Sequence, residues 1–130
     1  MTPARLLLPL SLALLAACAQ HPRQIVSLDD QKDCPLTLKT GQTLILILPS
    51  NPTTGHRWLM QQPAPANLTS LGPEVFNTPE RMGVVGSSGQ STWRYKAVNP
   101  GEGHLKMVYQ QPWAPEVRPE QTFDCRILVN

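Results

Sequence analysis

Cysteine and histidine are the side chains of this chain that are best suited to nucleophilic or metal chemistry. The 130 residues include three of each. The histidines, His21, His56 and His104, lie far apart in the sequence, and none stands at metal-ligand spacing with a cysteine or an acidic residue. No glycine-rich phosphate loop is placed between a strand and a helix. This pattern predicts a protein that is not an enzyme and that uses neither a metal nor a cofactor.

Cys18 ends a targeting segment at the amino terminus. Arg5 supplies a basic start, and the apolar residues 6–15 are fewer than the ~20 that a membrane-spanning helix needs. Residues 15–18 resemble a bacterial lipobox, which implies cleavage before Cys18 and lipidation of that residue. A plain secretory signal that is cut nearby is the alternative. Ala19 is similar to the residue that sorts such lipoproteins to the outer membrane.

The chain is therefore expected to have three parts. Residues 1–17 are predicted to be a lipoprotein signal peptide that sends the protein to the bacterial cell envelope, and the lipid on Cys18 would anchor it to the outer membrane. Residues 18–33 are mostly polar and are interpreted as a lipidated start and a tether. Residues 34–130 are interpreted as one small domain, and we expect a monomer.

Charge and composition limit the partners of this domain. Loss of residues 1–17 removes Arg5 and no acid, which leaves 10 basic residues against 9 acidic ones, a formal balance of +1. Such a weak charge does not attract nucleic acid. The 14 prolines of the whole chain and its modest charge are typical of a β protein with many loops.

Apolar and polar residues alternate along most of the domain, as they do in half-buried strands. The apolar positions that share a parity are Cys34, Leu36 and Leu38; Trp58 and Met60; Trp93, Tyr95 and Ala97; Leu105, Met107 and Tyr109; and Phe123, Cys125, Ile127 and Val129. Residues 43–48 are almost wholly apolar, which predicts a strand buried on both faces. Further short strands are predicted at residues 68–71 and 75–77, and a longer one at residues 90–98. The fold predicted is an all-β, immunoglobulin-like antiparallel β-sandwich, with a small open barrel as the alternative.

If Cys18 carries lipid, Cys34 and Cys125 are the two cysteines left with a thiol that could form a disulfide. Each falls on the apolar parity of its strand, so both thiols are expected to face the core. In an oxidising compartment they could form a disulfide, and two buried free thiols are the alternative.

One loop between two predicted strands combines stiffness with a sharp turn. It has the sequence Asn51, Pro52, Thr53, Thr54, Gly55. Pro52 fixes its own φ, and Gly55 can take the positive φ that brings the chain back. This leaves Thr53 and Thr54 at the tip of a stiff loop. An ordinary turn is the alternative interpretation.

Two later loops are also candidates for binding. Residues 83–89 are small, and they lead into the strand that carries Trp93 and Tyr95. Trp113 lies between Pro112 and Pro115, so its indole would lose little conformational entropy on binding and has a large face to bury. This indicates an interface anchor, with packing against the domain's own core as the alternative.

The three loops together resemble those of the chagasin family of inhibitors of papain-like cysteine peptidases, over residues 34–130. Asn51 to Gly55, followed by Trp58, matches the first inhibitory loop. The second loop is similar to Gly86, Ser87, Ser88 and Gly89. The third matches Pro112 and Trp113, with Gln111 where an arginine is expected. His56 stands where an aromatic residue is common.

The resemblance implies an immunoglobulin-like sandwich whose three loops form a wedge at one end and enter a peptidase cleft. The partner would be a papain-like cysteine peptidase, inhibited tightly and reversibly. The tip at Thr53 and Thr54 would lie near the catalytic cysteine, Trp113 on the primed side of the cleft, and residues 86–89 on the other side. A membrane-tethered adhesion or assembly module without inhibitory activity is the alternative, since sandwiches of this kind serve many functions.

Overall fold

The structure is a computed structural model that describes residues 23–78 and 89–130. Cys18 and the loop residues Gly86, Ser87 and Ser88 lie outside these ranges. The described residues form nine strands: β1 (Ile25–Leu28), β2 (Leu36–Leu38), β3 (Thr43–Ser50), β4 (Arg57–Pro63), β5 (Leu68–Ser70), β6 (Val75–Asn77), β7 (Gly89–Ala97), β8 (Gly101–Gln110) and β9 (Gln121–Val129). Short 3₁₀ turns occur at Gln31–Asp33 and Pro52–Thr54. Within these ranges, no helix has the length and apolar character needed to cross a membrane.

The strands form two sheets. Sheet one has the order β1-β3-β7-β5, with β6 also paired to β7, and sheet two has the order β2-β9-β8-β4. All pairings are antiparallel except β1 with β3 and β2 with β9, which are parallel. The prediction of an immunoglobulin-like β-sandwich is confirmed, with these parallel pairs as an addition at the edges.

The core lies between the sheets and is built largely from the predicted alternating positions. Its members include Leu44, Leu46 and Leu48 of β3, Trp93, Tyr95 and Ala97 of β7, Leu105, Met107 and Tyr109 of β8, and Phe123, Cys125, Ile127 and Val129 of β9. Met60 is an exception, because it is 36% exposed and stands where the register of β4 with β8 shifts. Burial of each large apolar side chain contributes about 1.5–3 kcal/mol before the entropy of folding is subtracted. This core fixes the strand ends from which the loops emerge.

The prediction that residues 43–48 are buried on both faces is wrong. Leu44, Leu46 and Leu48 are at most 4% exposed. Their neighbours Thr43, Ile45 and Ile47 are only half-buried. The reason is that the second sheet covers one face of sheet one, as is usual in antiparallel sheets.

The predicted tether also requires correction, because the folded domain begins before Cys34. Residues 25–28, assigned to the tether, form β1, which pairs with β3 from Ile25 opposite Thr43 to Leu28 opposite Leu46. Leu28 is fully buried. A four-residue edge strand carries too short a pattern to be recognised without its partner.

A disulfide joins Cys34 to Cys125, with their Cα atoms 5.3 Å apart. It links the segment before β2 to the middle of β9. Closing a loop of 91 residues contributes on the order of 4 kcal/mol in the chain-entropy model. Gln31 adds a second link to β9, because its side-chain amide bonds the backbone N–H and C=O of Asp124.

Candidate functional site

Strand register brings two of the predicted loops to the same end of the sandwich. In sheet one, Ser50 at the end of β3 pairs with Gly89 at the start of β7. In sheet two, Arg57 at the start of β4 pairs with Gln110 at the end of β8. Residues 51–56, here called the first loop, therefore cross from one sheet to the other beside residues 111–120, here called the third loop.

Gly89 was predicted to belong to a binding loop, but it is the buried first residue of β7. A Cβ at this position would lie 2.3 Å from the carbonyl oxygen of Asn77 and 2.7 Å from the ring of Phe76. The close approach of β6 therefore explains why glycine stands here. Gly89 thus has a packing role at the strand end, and its contact with a partner stays a prediction.

The first loop is held by hydrogen bonds within itself. Asn51 caps the 3₁₀ turn, and its Oδ1 accepts from the N–H of Thr53 at 3.2 Å and from the Thr53 hydroxyl. The Thr54 hydroxyl donates to the Asn51 carbonyl at 2.9 Å. Gly55 closes the turn at φ +79°, with its N–H bonded to the carbonyl of Pro52 at 3.1 Å. The polar groups of the tip are thus used to fix its shape.

Tyr109 supports the first loop from below. The Asn51 N–H donates to the Tyr109 hydroxyl at 2.8 Å, and that hydroxyl lies 3.3 Å from the Asn51 carbonyl, to which it donates. The Tyr109 ring packs against Trp58, with centroids 4.9 Å apart, and Trp58 Nε1 donates to the Pro49 carbonyl at 2.9 Å. Sequence analysis placed Tyr109 only in the core. The sequence does carry one indication of this role, because Tyr109 ends a predicted core strand. A buried tyrosine hydroxyl usually forms a hydrogen bond with a neighbouring group.

The third loop is built from two turns that present an exposed indole. The N–H of Ala114 bonds the carbonyl of Gln111, and the N–H of Val117 bonds that of Ala114, both at 3.1 Å. Trp113 is 68% exposed, so it is not a part of the core. Pro112 beside it is exposed as well.

Gln111 and Trp113 of the third loop both contact the first loop. Gln111 Nε2 donates to the carbonyl of Thr54 at 3.1 Å. The indole of Trp113 lies over Gly55 so closely that a Cβ on that glycine would be 2.2 Å from Trp113 Cη2. Glycine is therefore required at position 55 both for its positive φ and for this contact. The residue that departs from the family pattern, Gln111, takes part in holding the tip.

A charged group that sequence analysis missed lies beside these contacts. Glu120 Oε2 is 3.2 Å from His56 Nε2. His56 Nδ1 is 2.8 Å from the Thr54 hydroxyl oxygen, and its ring packs on Tyr109 with centroids 5.2 Å apart. Arg57 Nη1 donates to the carbonyls of Pro52 and His56 at 3.2 and 2.9 Å. Nothing in the sequence indicates that residue 56 lies beside residue 120, and only the three-dimensional fold shows this pair.

The site defines a class of protein that binds a partner with preformed loops. Among the described residues, no cluster of His, Cys, Asp and Glu could hold a metal ion. The hydroxyls at the tip are engaged in structural bonds, and among the described residues of the two loops the most exposed large apolar side chain is the indole of Trp113. These features suit recognition of another macromolecule rather than bond-making chemistry.

Comparison with known proteins identifies the family. The model of the chagasin family peptidase inhibitor I42 matches residues 37–127. This protein therefore belongs to the chagasin family, which consists of peptidase inhibitors and not of enzymes.

Individual similar proteins also match most of this chain. Amoebiasin-1 of Entamoeba histolytica is 28% identical over 102 residues, which are 78% of this chain and 96% of that protein. The crystal structure of the cysteine protease inhibitor EhICP2 from Entamoeba histolytica superposes with a TM-score of 0.69 at 21% identity, covering 82% of this chain and 96% of that one. The structure of PbICP-C in complex with falcipain-2 gives a TM-score of 0.53 at 16% identity, covering 82% and 89%.

Proposed function

We propose that this protein is a tight-binding, reversible inhibitor of papain-like cysteine peptidases that acts as a monomer through the loops at one end of the sandwich. The observation that carries the proposal is the junction of the first and third loops, where Gln111 bonds the Thr54 carbonyl and Trp113 covers Gly55. A preformed edge of this kind suits a narrow cleft. The complex of PbICP-C with falcipain-2 supports a cysteine peptidase as the class of target.

The tip formed by Thr53 and Thr54 would enter the cleft near the catalytic cysteine. Both residues are exposed, while their hydroxyls are held by Asn51. The carbonyl of Thr54 is held by Gln111, which keeps it from turning toward an attacking thiolate. Inhibition would then need no cleavage of the chain, because the tip occupies the cleft without presenting a carbonyl in line for attack.

Stiffness is the second element of the mechanism. A loop that is already ordered loses little entropy on binding, so more of the contact energy is retained as affinity. Asn51, Tyr109 and Gly55 fix the first loop before any partner arrives. Trp113 would supply the apolar contact, placed on the primed side of the cleft. Residues 86–88 are proposed to close over the opposite side.

The test is the inhibition of papain by the purified protein and by Thr54→Asp. The variant would place a carboxylate where desolvation of an unpaired charge is costly, and we expect the inhibition constant to rise at least about tenfold. The matched control is Thr69→Asp, because Thr69 is also exposed but pairs with Lys96 toward the other end of β7. Equal inhibition by all three proteins would contradict the proposed site. No inhibition by the parent would favour an adhesion or assembly module.

We also propose that Cys18 carries the lipid anchor and holds the protein at the bacterial cell envelope, in the outer membrane. The support is the run of residues 15–18 and the apolar stretch before it. Growth with labelled palmitate should label the protein, and Cys18→Ser should abolish the label and leave the precursor uncleaved. Unchanged labelling of the variant would rule out this anchor.

A further inference from the structure

The imidazole of His56 lies at the junction of the two loops. Its Nδ1 faces the Thr54 hydroxyl at 2.8 Å, and its Nε2 faces a carboxylate oxygen of Glu120 at 3.2 Å. The His56 side chain is 22% exposed, whereas that of Glu120 is 58% exposed. One ring therefore contacts the tip of the first loop and the end of the third loop at once.

The hydrogen atoms that these contacts need determine the charge of the ring. The Thr54 hydroxyl has one hydrogen, and at 2.9 Å it donates that hydrogen to the Asn51 carbonyl. Its oxygen can then only accept from Nδ1, so Nδ1 must carry a proton. The Glu120 carboxylate is also an acceptor, so Nε2 must carry a proton as well. Both contacts and the Asn51 bond coexist only when His56 is an imidazolium.

The neutral ring requires a different arrangement. With the proton kept on Nε2 for Glu120, the Thr54 hydroxyl has to turn away from the Asn51 carbonyl and donate to Nδ1. That removes the bond between Thr54 and Asn51, one of the bonds that shape the tip. The proton on Nδ1 thus decides whether the Thr54 hydroxyl holds the backbone of the loop.

We propose that His56 is a positioning residue whose protonation fixes the tip of the first loop and thereby strengthens binding of the peptidase in mildly acidic solution. This inference rests on the function proposed above. The charged and titratable groups that face the ring are Glu120 of the third loop, Arg57 of β4 and Tyr109 of β8. The Glu120 carboxylate lies on the Nε2 side of the ring, and Arg57 Nη1 is bound to the carbonyls of Pro52 and His56.

The direction of the pH effect follows from the charge that the loop needs. The bonds of the tip require the charged ring, so the gain in binding is lost when His56 gives up its second proton. Histidine is the side chain that titrates between about pH 5 and pH 8. Inhibition should therefore weaken across this range.

A second histidine provides a matched control. His104 Nδ1 lies 3.0 Å from Asp124 Oδ1, so it also pairs with a carboxylate. This pair lies across β8 and β9, where His104 is opposite Arg126, away from the strand ends that carry the loops. His104→Gln removes a histidine–carboxylate pair without touching the first loop.

The experiment compares inhibition constants for papain from pH 5 to pH 8 for the parent, His56→Phe, Glu120→Gln and His104→Gln. At each pH the inhibition constant of the variant is divided by that of the parent. The pH dependence of papain itself is common to both constants and drops out of this ratio. For His56→Phe and Glu120→Gln we expect the inhibition constant at pH 5 to be about three to five times that of the parent, which is the effect of losing a half-exposed ion pair. This ratio should fall toward one at pH 8. His104→Gln should give a ratio near one throughout. A ratio for His56→Phe that does not change with pH would overturn the proposal.

Nitrogen-15 NMR of the free protein separates this inference from the inhibitor function. At pH 5 the parent should show protons on both ring nitrogens of His56, and the amide signal of Thr54 should shift with the same midpoint as the ring. If papain is not inhibited at all but these shifts are seen, the proposed function fails and the proton-dependent loop stands. If the ring titrates while the Thr54 amide does not move, the positioning role is wrong.

Discussion

The first and third loops lie side by side at one end of the sandwich, yet they are stabilised in different ways. The first loop directs its polar groups inward, to Asn51, to the Tyr109 hydroxyl and to its own backbone. The third loop is held by two backbone turns and by Gln111, and it leaves the indole of Trp113 68% exposed. The first loop is therefore rigid, whereas the third loop exposes apolar surface that a partner can bury.

The difference indicates a division of roles within one binding edge. A rigid tip contributes to affinity by lowering the entropy lost on binding, whereas an exposed aromatic side chain contributes area that is buried only in the complex. Gly55 belongs to the rigid first loop and is also in contact with the exposed indole of Trp113, so it contributes to both roles. Substitutions in the third loop should therefore change affinity alone, and those in the first loop should change affinity and stability together.

The largest effect is expected for Trp113→Ala. Loss of a central aromatic anchor commonly costs about 2 kcal/mol, which is roughly thirtyfold in the inhibition constant. Because the indole is 68% exposed, the melting temperature should move little. Val117→Ala is the control, since Val117 is 57% exposed in the same loop. A Trp113→Ala variant that unfolds easily would assign the indole to the stability of the domain instead.

Gly55→Ala should have the next largest effect, because it disturbs both loops. Alanine at φ +79° costs about 1 kcal/mol of folding stability, and its Cβ would push the indole of Trp113 from its place. We expect inhibition to weaken about tenfold.

Gly41→Ala separates the two causes. Gly41 has φ +96°, and a Cβ there would meet nothing within 4 Å. This control should lose similar stability and inhibit as well as the parent. In a Trp113→Ala background, Gly55→Ala should weaken inhibition less than it does alone, because the displaced group is already missing. An undiminished effect there would show that the contact with the indole is unimportant.

Tyr109→Phe tests whether the stiffness of the first loop matters. The variant keeps the ring and removes the hydroxyl that the Asn51 N–H uses, which leaves a part-buried donor unpaired. The expected loss is about 1–2 kcal/mol in unfolding free energy and about fivefold in inhibition. Both can be measured on one sample, by denaturant titration and by a papain assay.

Tyr95→Phe is the control for removal of a buried phenol. Tyr95 lies in the core on β7, and burial raises the pKa of its phenol to about 12, so it keeps its proton throughout the assay. Its loss should leave inhibition unchanged. If Tyr109→Phe lowers stability without changing inhibition, the proposed link between a stiff tip and affinity is refuted.

The sequence predicts the fold well because alternation is a local property. The parities of Trp93 and Tyr95, and of Leu105 and Met107, place them in the core as expected. The turn at residues 51–55 also follows from local chemistry, since Pro52 and Gly55 restrict the backbone by themselves. Edge strands are harder, and β1 was missed because four residues paired in parallel leave no distinctive pattern.

The contacts within the site could not be predicted in the same way. The hydroxyl of Tyr109 and the amide of Gln111 reach the first loop across 58 and 57 positions of the chain. Such pairs depend on strand register, which is known only once both sheets are in place. The pattern of the loops thus indicates which residues face a partner, but not which residues hold them.

Substitution of Gln111 should have the smallest effect and gives the finest comparison of the two loops. Gln111→Ala removes the 3.1 Å bond to the Thr54 carbonyl, and for one half-exposed bond we expect a twofold to fourfold rise in the inhibition constant. Gln111→Glu should be worse, because a carboxylate would face that carbonyl oxygen with no hydrogen to donate. Gln111→Arg restores a donor and should inhibit at least as well as the parent. Gln61→Ala, an exposed glutamine farther along β4, is the neutral control. If the alanine and glutamate variants are indistinguishable from the parent, the loops act independently, and the exposed indole rather than the joined edge carries the affinity.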